Sequence, residues 1–540
     1  MLARSPLRSN AQRQAVARSN TVSAPIEGWD AISPLESMGP MRAVELVNWF
    51  CQPGWIEVRK GSKVHTKVGT SDVESLLVWR GPSGASKMFA ATGSKIYDVS
   101  AASGAMEVVS GLASARFQSV VFVNSGNSYL YACNGQDACR HYNGSTWSTP
   151  TLTGVVSQDV IQINAHKRRL WLITKESTKA WYLATDAIAG AATSFELGSL
   201  FSRGGYLMAM ATWTRDGGSG PDDVAVFISS EGQCALYSGT DPAGSSTWSI
   251  IGTFDLPRPV GRRCVQRLGA DLLLLTAQGV FPLSKLLGID KAEAAQIALS
   301  SNISPAITTA VDLYGNNFGW EIAIHYRGTK LIVNVPRIEN GIADQYVMNT
   351  ITGAWSKFVG WPAQCFGVYN NELYFGTKGG YVYKADTGVS DTDSSIVATG
   401  QTAYTALGSA ALKHITMVKP LITATGSNRP RVGVSTDFQE TQNLSTVTSS
   451  TGVTAGKWGS MRWGRDVWGG GATEVNDWGG AAALGTFASV KFQAETGATA
   501  ASAFTWGFAY WGAISWGGVN GNETVKINGF LMLSSQGGYI

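Results

Sequence analysis

The sequence predicts an all-β chain, and three observations carry that expectation. Glycine fills 63 of 540 positions, about 12% where ~7% is usual. Charged residues make up only 15%, against a usual ~25%. Tryptophan adds 19 residues to 17 tyrosines and 19 phenylalanines. Disordered chains lack so many aromatics, and coiled coils need more Glu, Lys and Leu. Many short strands joined by glycine turns remain.

The strands repeat. An apolar strand, a tight polar turn and a second apolar strand recur at Phe89–Ser100, Leu130–Asn143, Leu170–Ala184, Phe227–Gly239, Leu273–Ser284 and Leu373–Asp386. The starts lie 41, 40, 57, 46 and 100 residues apart, and a looser copy at Lys330–Phe358 falls inside the last gap. A period of ~40–50 with several strands per unit is the mark of a β-propeller. One such unit cannot bury both of its faces, so the units must stack around an axis. Six or seven irregular blades over residues 62–400 are expected. A β-sandwich would also contain glycine-turn hairpins, but it would not need this spacing.

Two helices are expected beside the repeats. Pro40–Phe50 puts proline at a first helical position and Pro53 at the end. Asp290–Ser300 has Asp290 as N-cap and Glu293 three residues on, followed by Ser304–Pro305 as a stop. After residue 401 the texture changes. Trp-Gly pairs occur at Trp458, Trp463, Trp468, Trp478, Trp506, Trp511 and Trp516. The five-residue spacing suits neither a helix nor a regular strand, but it fits short strands broken by bulges. Such tryptophans could dock a partner, stack on sugars or fill a small β core.

The charge balance is +4, too small for strong general attraction to nucleic acid or anionic membrane. The first 26 residues contain Arg4, Arg8, Arg13 and Arg18 and no acid, without the apolar run of a secretory signal. Their composition imitates an organellar transit peptide, and a basic arm that orders on a partner is the simpler reading. Thr496–Asn522 is uncharged but glycine-rich and lacks an aliphatic centre, so no membrane span is expected. The six cysteines are scattered with no C-x-x-C pair and are expected to be free, buried thiols.

No catalytic constellation emerges. The five histidines are far apart, and neither H-E-x-x-H nor G-x-S-x-G occurs. Gly452–Lys457 is one residue short of a phosphate loop, and Trp458 follows where Ser or Thr is needed. Ser238–Trp248 faintly resembles the aspartate box of sialidase propellers, out of register. A glycosidase would need two placed carboxylates, which 38 acids leave open. Basic residues cluster at Lys167, Arg168 and Arg169 and at Arg262 and Arg263. They are candidate contacts to nucleic acid or to an acidic neighbouring subunit.

Residues 32–61 resemble the opening of tail nozzle proteins of short-tailed bacteriophages, the tail tubular protein B family. Pro40, Ala43, Leu46, Asn48, Trp49, Phe50, Pro53, Arg59 and Gly61 match. The Trp-Gly region and the hairpins are similar to that family more diffusely. The resemblance implies a virion structural protein and no enzyme, with no cofactor and no metal. It implies a ring, a hexamer in that family, below the head–tail adaptor and around the DNA exit channel. It further implies a β-rich platform built from both termini, with tail fibres or spikes attached to the propellers. Domains are expected at 1–61, 62–400 and 401–540, and assembly in the bacterial host cytoplasm. Candidate platform or subunit contacts are Arg42, Asn48, Trp49, Phe50, Trp458, Trp463, Trp468, Trp506, Trp511 and Trp516. The competing reading is a glycan-binding propeller or receptor-binding tail module.

Overall fold

The computed structural model describes residues 17–216, 221–244, 246–286, 297–392, 394–425, 430–439, 444–447, 472–475, 477–497 and 524–536. Among these residues strands predominate and helix is scarce, as the glycine and aromatic content predicts. Each of the six repeated segments forms an antiparallel hairpin. In five cases the hairpin is the second and third strand of a three- or four-stranded sheet, and the Leu373–Asp386 hairpin belongs to a 15-stranded sheet that runs on through Glu321–Val359 and strands of both chain ends.

The sheets follow one another along the chain. The first joins Val73–Arg80, Ser86–Thr92, Lys95–Asp98 and Met106–Val109. The next joins Gln118–Val123, Ser128–Cys133, Arg140–Tyr142 and Trp147–Ser148. A third runs through Val160–His166, Arg169–Thr174, Lys179–Tyr182 and Thr193–Glu196. The fourth runs through Leu207–Asp216, Pro221–Ser229, Gln233–Gly239 and Trp248–Asp255. A three-stranded unit follows, Val265–Leu268, Asp271–Thr276 and Gly279–Pro282. Glu321–His325, Lys330–Pro336, Ala343–Asn349 and Trp355–Val359 come next. The last unit, Cys365–Tyr369, Glu372–Gly376 and Tyr381–Ala385, is completed by the much earlier strand Ser62–Lys67.

The first strands close a ring. Val73–Arg80 touches Gln118–Val123, which touches Val160–His166, which in turn touches Leu207–Asp216. That strand reaches the 265–276 hairpin, which contacts Glu321–His325. Contacts continue to Cys365–Tyr369 and return to Val73–Arg80. Apolar faces are buried between neighbouring sheets. Trp171, Phe227 and Trp248 fill one such space, and Trp79, Phe89, Leu130 and Tyr142 fill another. Each large side chain contributes about 1.5–3 kcal/mol of burial.

The chain ends form a second, two-layered body. One sheet joins Trp49–Gln52, Trp55–Val58, Val525–Gln536, Lys413–Thr425 and Ala472–Val475. Arg18–Ser23 and Gly479–Gly485 pair onto it as well. The other layer holds Arg42–Val47, Ser394–Thr402, Ala488–Thr496 and Arg431–Thr436. Both layers share one core, where Trp49, Phe492 and Phe530 meet edge to face or tilted at 5.2–5.4 Å. Ser394–Thr402 belongs to this body although it starts before residue 400.

The first expected helix is corrected, and the second falls largely outside the described residues. Pro40–Phe50 is not helical: Arg42–Val47 and Trp49–Gln52 are strands, and Pro40 lies in the preceding turn. Val44 and Val47 favour the extended chain, and pairing with Ser394–Thr402 satisfies the backbone, outweighing a weak local helical signal. Pro53 does not stop a helix but opens the two-residue hairpin turn Pro53–Gly54, where Gly54 takes φ +94°. Residues 287–296 lie outside the described residues, so the Asp290 cap is not among them. Leu299–Ser300 form a turn, and Ser304–Pro305 begins the helix Ser304–Tyr314 instead of ending one. Proline suits that first turn because its missing N–H needs no partner there.

The two bodies meet closely at Gly61, where a Cβ would overlap the Ser390 carbonyl. Gly61→Ala is therefore expected to lower unfolding stability by about 3 kcal/mol in urea titration, by forcing apart packed backbone. Gly480→Ala, whose Cβ would meet open space, should shift it by less than about 0.5 kcal/mol.

Candidate functional site

Three of the residues that carry the resemblance, Asn48, Arg59 and Gly61, meet at the junction between ring and terminal body. Asn48 stands between two strands at φ +59°, a left-handed conformation that asparagine tolerates. This turns its side chain into the junction. Nδ2 donates to the Val397 carbonyl at 2.8 Å, and Oδ1 accepts from Val359 N–H at 2.9 Å and Arg59 Nε at 2.8 Å.

Arg59 is buried, its side chain 1% exposed. Nη1 donates to Asp391 Oδ1 and the Lys60 carbonyl, both at 3.0 Å. Nη2 donates to Asp391 Oδ2 and the Val359 carbonyl, both at 2.5 Å. With Nε on Asn48, all five guanidinium donors have partners. Asp391 also accepts from Ser62 Oγ and Trp361 Nε1, each at 3.1 Å. The guanidinium lies 5.1 Å from the Trp361 ring centroid. A charge this deep is tolerable only when its hydrogen bonds and counter-charge are complete, and here they are.

Arg42 makes a second tie. It pairs with Asp30 at 2.5 Å and Glu27 at 3.3 Å and reaches Asn302 beside the ring helix. Burial pushes the Asp30 carboxyl up, but bonds from Ser33 N–H, Arg42 and Ile32 N–H hold it below its ordinary value. Trp49 and Phe50 are buried within the chain, Trp49 in the terminal core and Phe50 against Phe358. Trp458, Trp463, Trp468, Trp506, Trp511 and Trp516 lie outside the described residues.

The basic candidates separate. Lys167 and Arg168 form the tight turn between Val160–His166 and Arg169–Thr174, at φ +45° and +61°. Arg168 pairs with Asp186, and Arg169 with Asp241 at 3.2 Å. Arg262 is exposed near Gly135. Arg263 turns inward to the ring axis. It bonds Glu321 at 3.1 Å, Ser75 Oγ at 2.8 Å, and the Glu74 and Phe117 carbonyls at 3.0 and 3.1 Å. One guanidinium thus ties four sheets that are distant in sequence. Burial pushes the Glu321 carboxyl up, and Arg263 with Phe366 N–H only partly offsets that. Arg116, paired with Glu74 and Glu339, stacks beside Arg263 on Phe318.

A third buried cluster escaped the sequence reading. Asp386 accepts from Lys330 Nζ at 2.9 and 3.0 Å and lies 3.4 Å from His325 Nδ1. The Lys330 ammonium sits 4.4 Å from the Phe50 ring centroid, so this cluster also touches the junction. Burial pushes the Asp386 carboxyl up, but the Lys330 charge and the His325 contact reverse this and hold it well below the ordinary range. A signal was present: Lys330 opens one repeated segment and Asp386 ends another, charges at the boundaries of apolar runs.

The geometry is that of joints. Among the described residues no group of three or more His, Cys, Asp or Glu could hold a metal ion. The six cysteines are buried and free, and burial pushes the Cys51, Cys264 and Cys365 thiols up to about 12. No described helix is long and apolar enough to cross a membrane.

No protein-family model matches the chain, and no curated protein matches it. Among solved structures it is similar to YCF48 from Cyanidioschyzon merolae, with 12% identity and a TM-score of 0.38 over 60% of this chain and 98% of that one. It is also similar to BBS1N in complex with ARL6DN, with 14% identity and a TM-score of 0.36 over 62% and 97%. Virginiamycin B lyase from Staphylococcus aureus gives 10% identity and a TM-score of 0.37 over 59% and 97%.

The Asp386 cluster sets a pH dependence. A carboxyl held down in the fold contributes stability that is complete above its unfolded value near ~4 and is lost as pH falls toward the folded value. Asp386→Asn should lower the urea midpoint at pH 7 and flatten the acid loss between pH ~4 and ~2 relative to wild type. Parallel acid limbs in the two proteins would contradict the assignment.

Proposed function

We propose that the chain is a structural subunit of the tail nozzle of a short-tailed bacteriophage. In this reading six copies form a ring below the head–tail adaptor and enclose the channel through which double-stranded DNA leaves. The sheets between residues 62 and 385 act as a seven-bladed propeller, counting the last blade as completed by Ser62–Lys67. The two-layered terminal body acts as the platform that meets neighbouring subunits and the adaptor, and the propeller carries fibres or spikes outward. The particle is assembled in the bacterial cytoplasm and ends in the virion.

The observation that carries this reading is where the nozzle-like motif falls. Asn48, Arg59 and Gly61 build the joint between the two bodies, while Ala43, Leu46 and Trp49 fill the platform core. A motif used this way fits a part whose task is to hold two bodies at a fixed angle. The pairing of Arg18–Ser23 with Val525–Gln536 supports a platform made from both ends of the chain. The basic candidates Arg168, Arg169 and Arg263 are matched by carboxylates of the same chain. That suits a conduit that does not grip DNA, because each free phosphate contact would slow passage.

Light scattering and cryo-electron microscopy test this. The expected particle is a six-fold ring of six times 57.3 kDa, formed alone or on addition of the adaptor. A protein that stays monomeric with its adaptor would overturn the proposal. Rings that bound duplex DNA with a steep salt dependence would overturn the non-gripping channel.

A further inference from the structure

A half-open cavity of about 1080 Å³ lies between five of the seven sheets of the ring. Its depth reaches Glu321, which is committed to Arg263. Part of its lining comes from the first strands and the turns beside them. There Arg80, Gln266, Tyr326, Arg327, Asn370 and Asn371 line it together.

These groups are not balanced among themselves. Arg80 is exposed, and its guanidinium has one long bond, 3.5 Å to the Val368 carbonyl. It has no carboxylate partner among the described residues. Glu372 is shared by Arg327 and Lys384, so the rim carries more cation than anion. Asn370 and Asn371 both hold left-handed backbone, φ +49° and +61°, which presents two adjacent amides at the cavity. Ser86 Oγ donates to Asn370 Oδ1 at 2.7 Å, which leaves the Asn370 amide N–H groups to donate. Tyr326 is 64% exposed, yet its hydroxyl is anchored on the Arg267 carbonyl at 3.2 Å. An aromatic ring held at a cavity mouth is a stacking surface.

We propose that this cavity binds a carboxylated oligosaccharide, of the uronate type. The carboxylate meets Arg80 in a charge-assisted pair. Vicinal hydroxyls meet the Asn370, Asn371 and Gln266 amides, and the C–H face of a sugar ring lies on Tyr326. An acidic peptide would satisfy Arg80 but offers no hydroxyl pairs to the amides. The whole cavity lies within one subunit, so the site does not depend on ring assembly, and its failure would leave the nozzle proposal standing.

Isothermal titration calorimetry of the full chain with tetragalacturonate tests it, with maltotetraose and tetraglutamate as comparison ligands. Tetragalacturonate is expected to bind at least about tenfold more tightly than either. Arg80→Gln should weaken tetragalacturonate about tenfold and leave maltotetraose unchanged, whereas Tyr326→Ala should weaken both sugars. Hydrogen exchange of the unaltered protein gives a second reading that needs no variant: tetragalacturonate should slow exchange at residues 80–86, 326–327 and 370–371. Absence of binding, equal binding of tetraglutamate, or protection confined to other segments would overturn the site.

Discussion

One buried guanidinium locks the seam where a continuous sheet passes from the ring into the terminal body. Arg59 leaves the terminal body, enters the seam with the ring and finds a partner for each of its donors. Asn48 and the Lys60 carbonyl are near in sequence, whereas the strand end at Val359 and Asp391 lie some 300 residues away. Desolvating such a charge is costly, and breaking one side of a buried pair typically costs about 3–5 kcal/mol. The pair can exist only if the seam is closed, and so it selects one angle between the bodies. Gly61 lets the backbones approach closely enough for that closure.

The ring obeys the same logic along its axis. Its sheets are held together mainly by apolar faces, which are tolerant of small rotations. Arg263 adds direction, because its bonds to Glu321, Ser75, and the Glu74 and Phe117 carbonyls can form together only in one registration of four sheets. Lys330, Asp386 and His325 do similar work where the last two sheets meet, and through Phe50 they touch the seam. Polar joints thus fix what apolar packing leaves adjustable.

Much of this was legible in the sequence, and the boundary of legibility has a physical cause. Hairpins are local, so the repeated strand–turn–strand segments marked the second and third strands of each sheet. The first strands were harder to see because each follows a longer connection between sheets and pairs on one side only. Pro40–Phe50 was misread since proline, alanine and leucine imitate a helix start, while the strand partner Ser394–Thr402 lies some 350 residues away. The family resemblance located Asn48, Arg59 and Gly61 but not their roles. Asp391, Glu321 and Asp386 had no readable partner, because an ion pair between distant residues leaves no spacing to detect. Arg263 was noticed as part of a basic run, yet its neighbour Arg262 faces solvent and Arg263 faces the axis.

The central claim is that Arg59 couples the terminal body to the ring. Hydrogen exchange in wild type and Arg59→Met tests it most directly, read at Val525–Gln536 in the terminal body and Lys330–Pro336 in the ring. In wild type both strands should open in one cooperative event. In the variant, Val525–Gln536 should lose roughly 100-fold or more of its protection, about 3 kcal/mol, while Lys330–Pro336 keeps its own. Unchanged protection at Val525–Gln536, or an equal loss in both strands, would contradict the account.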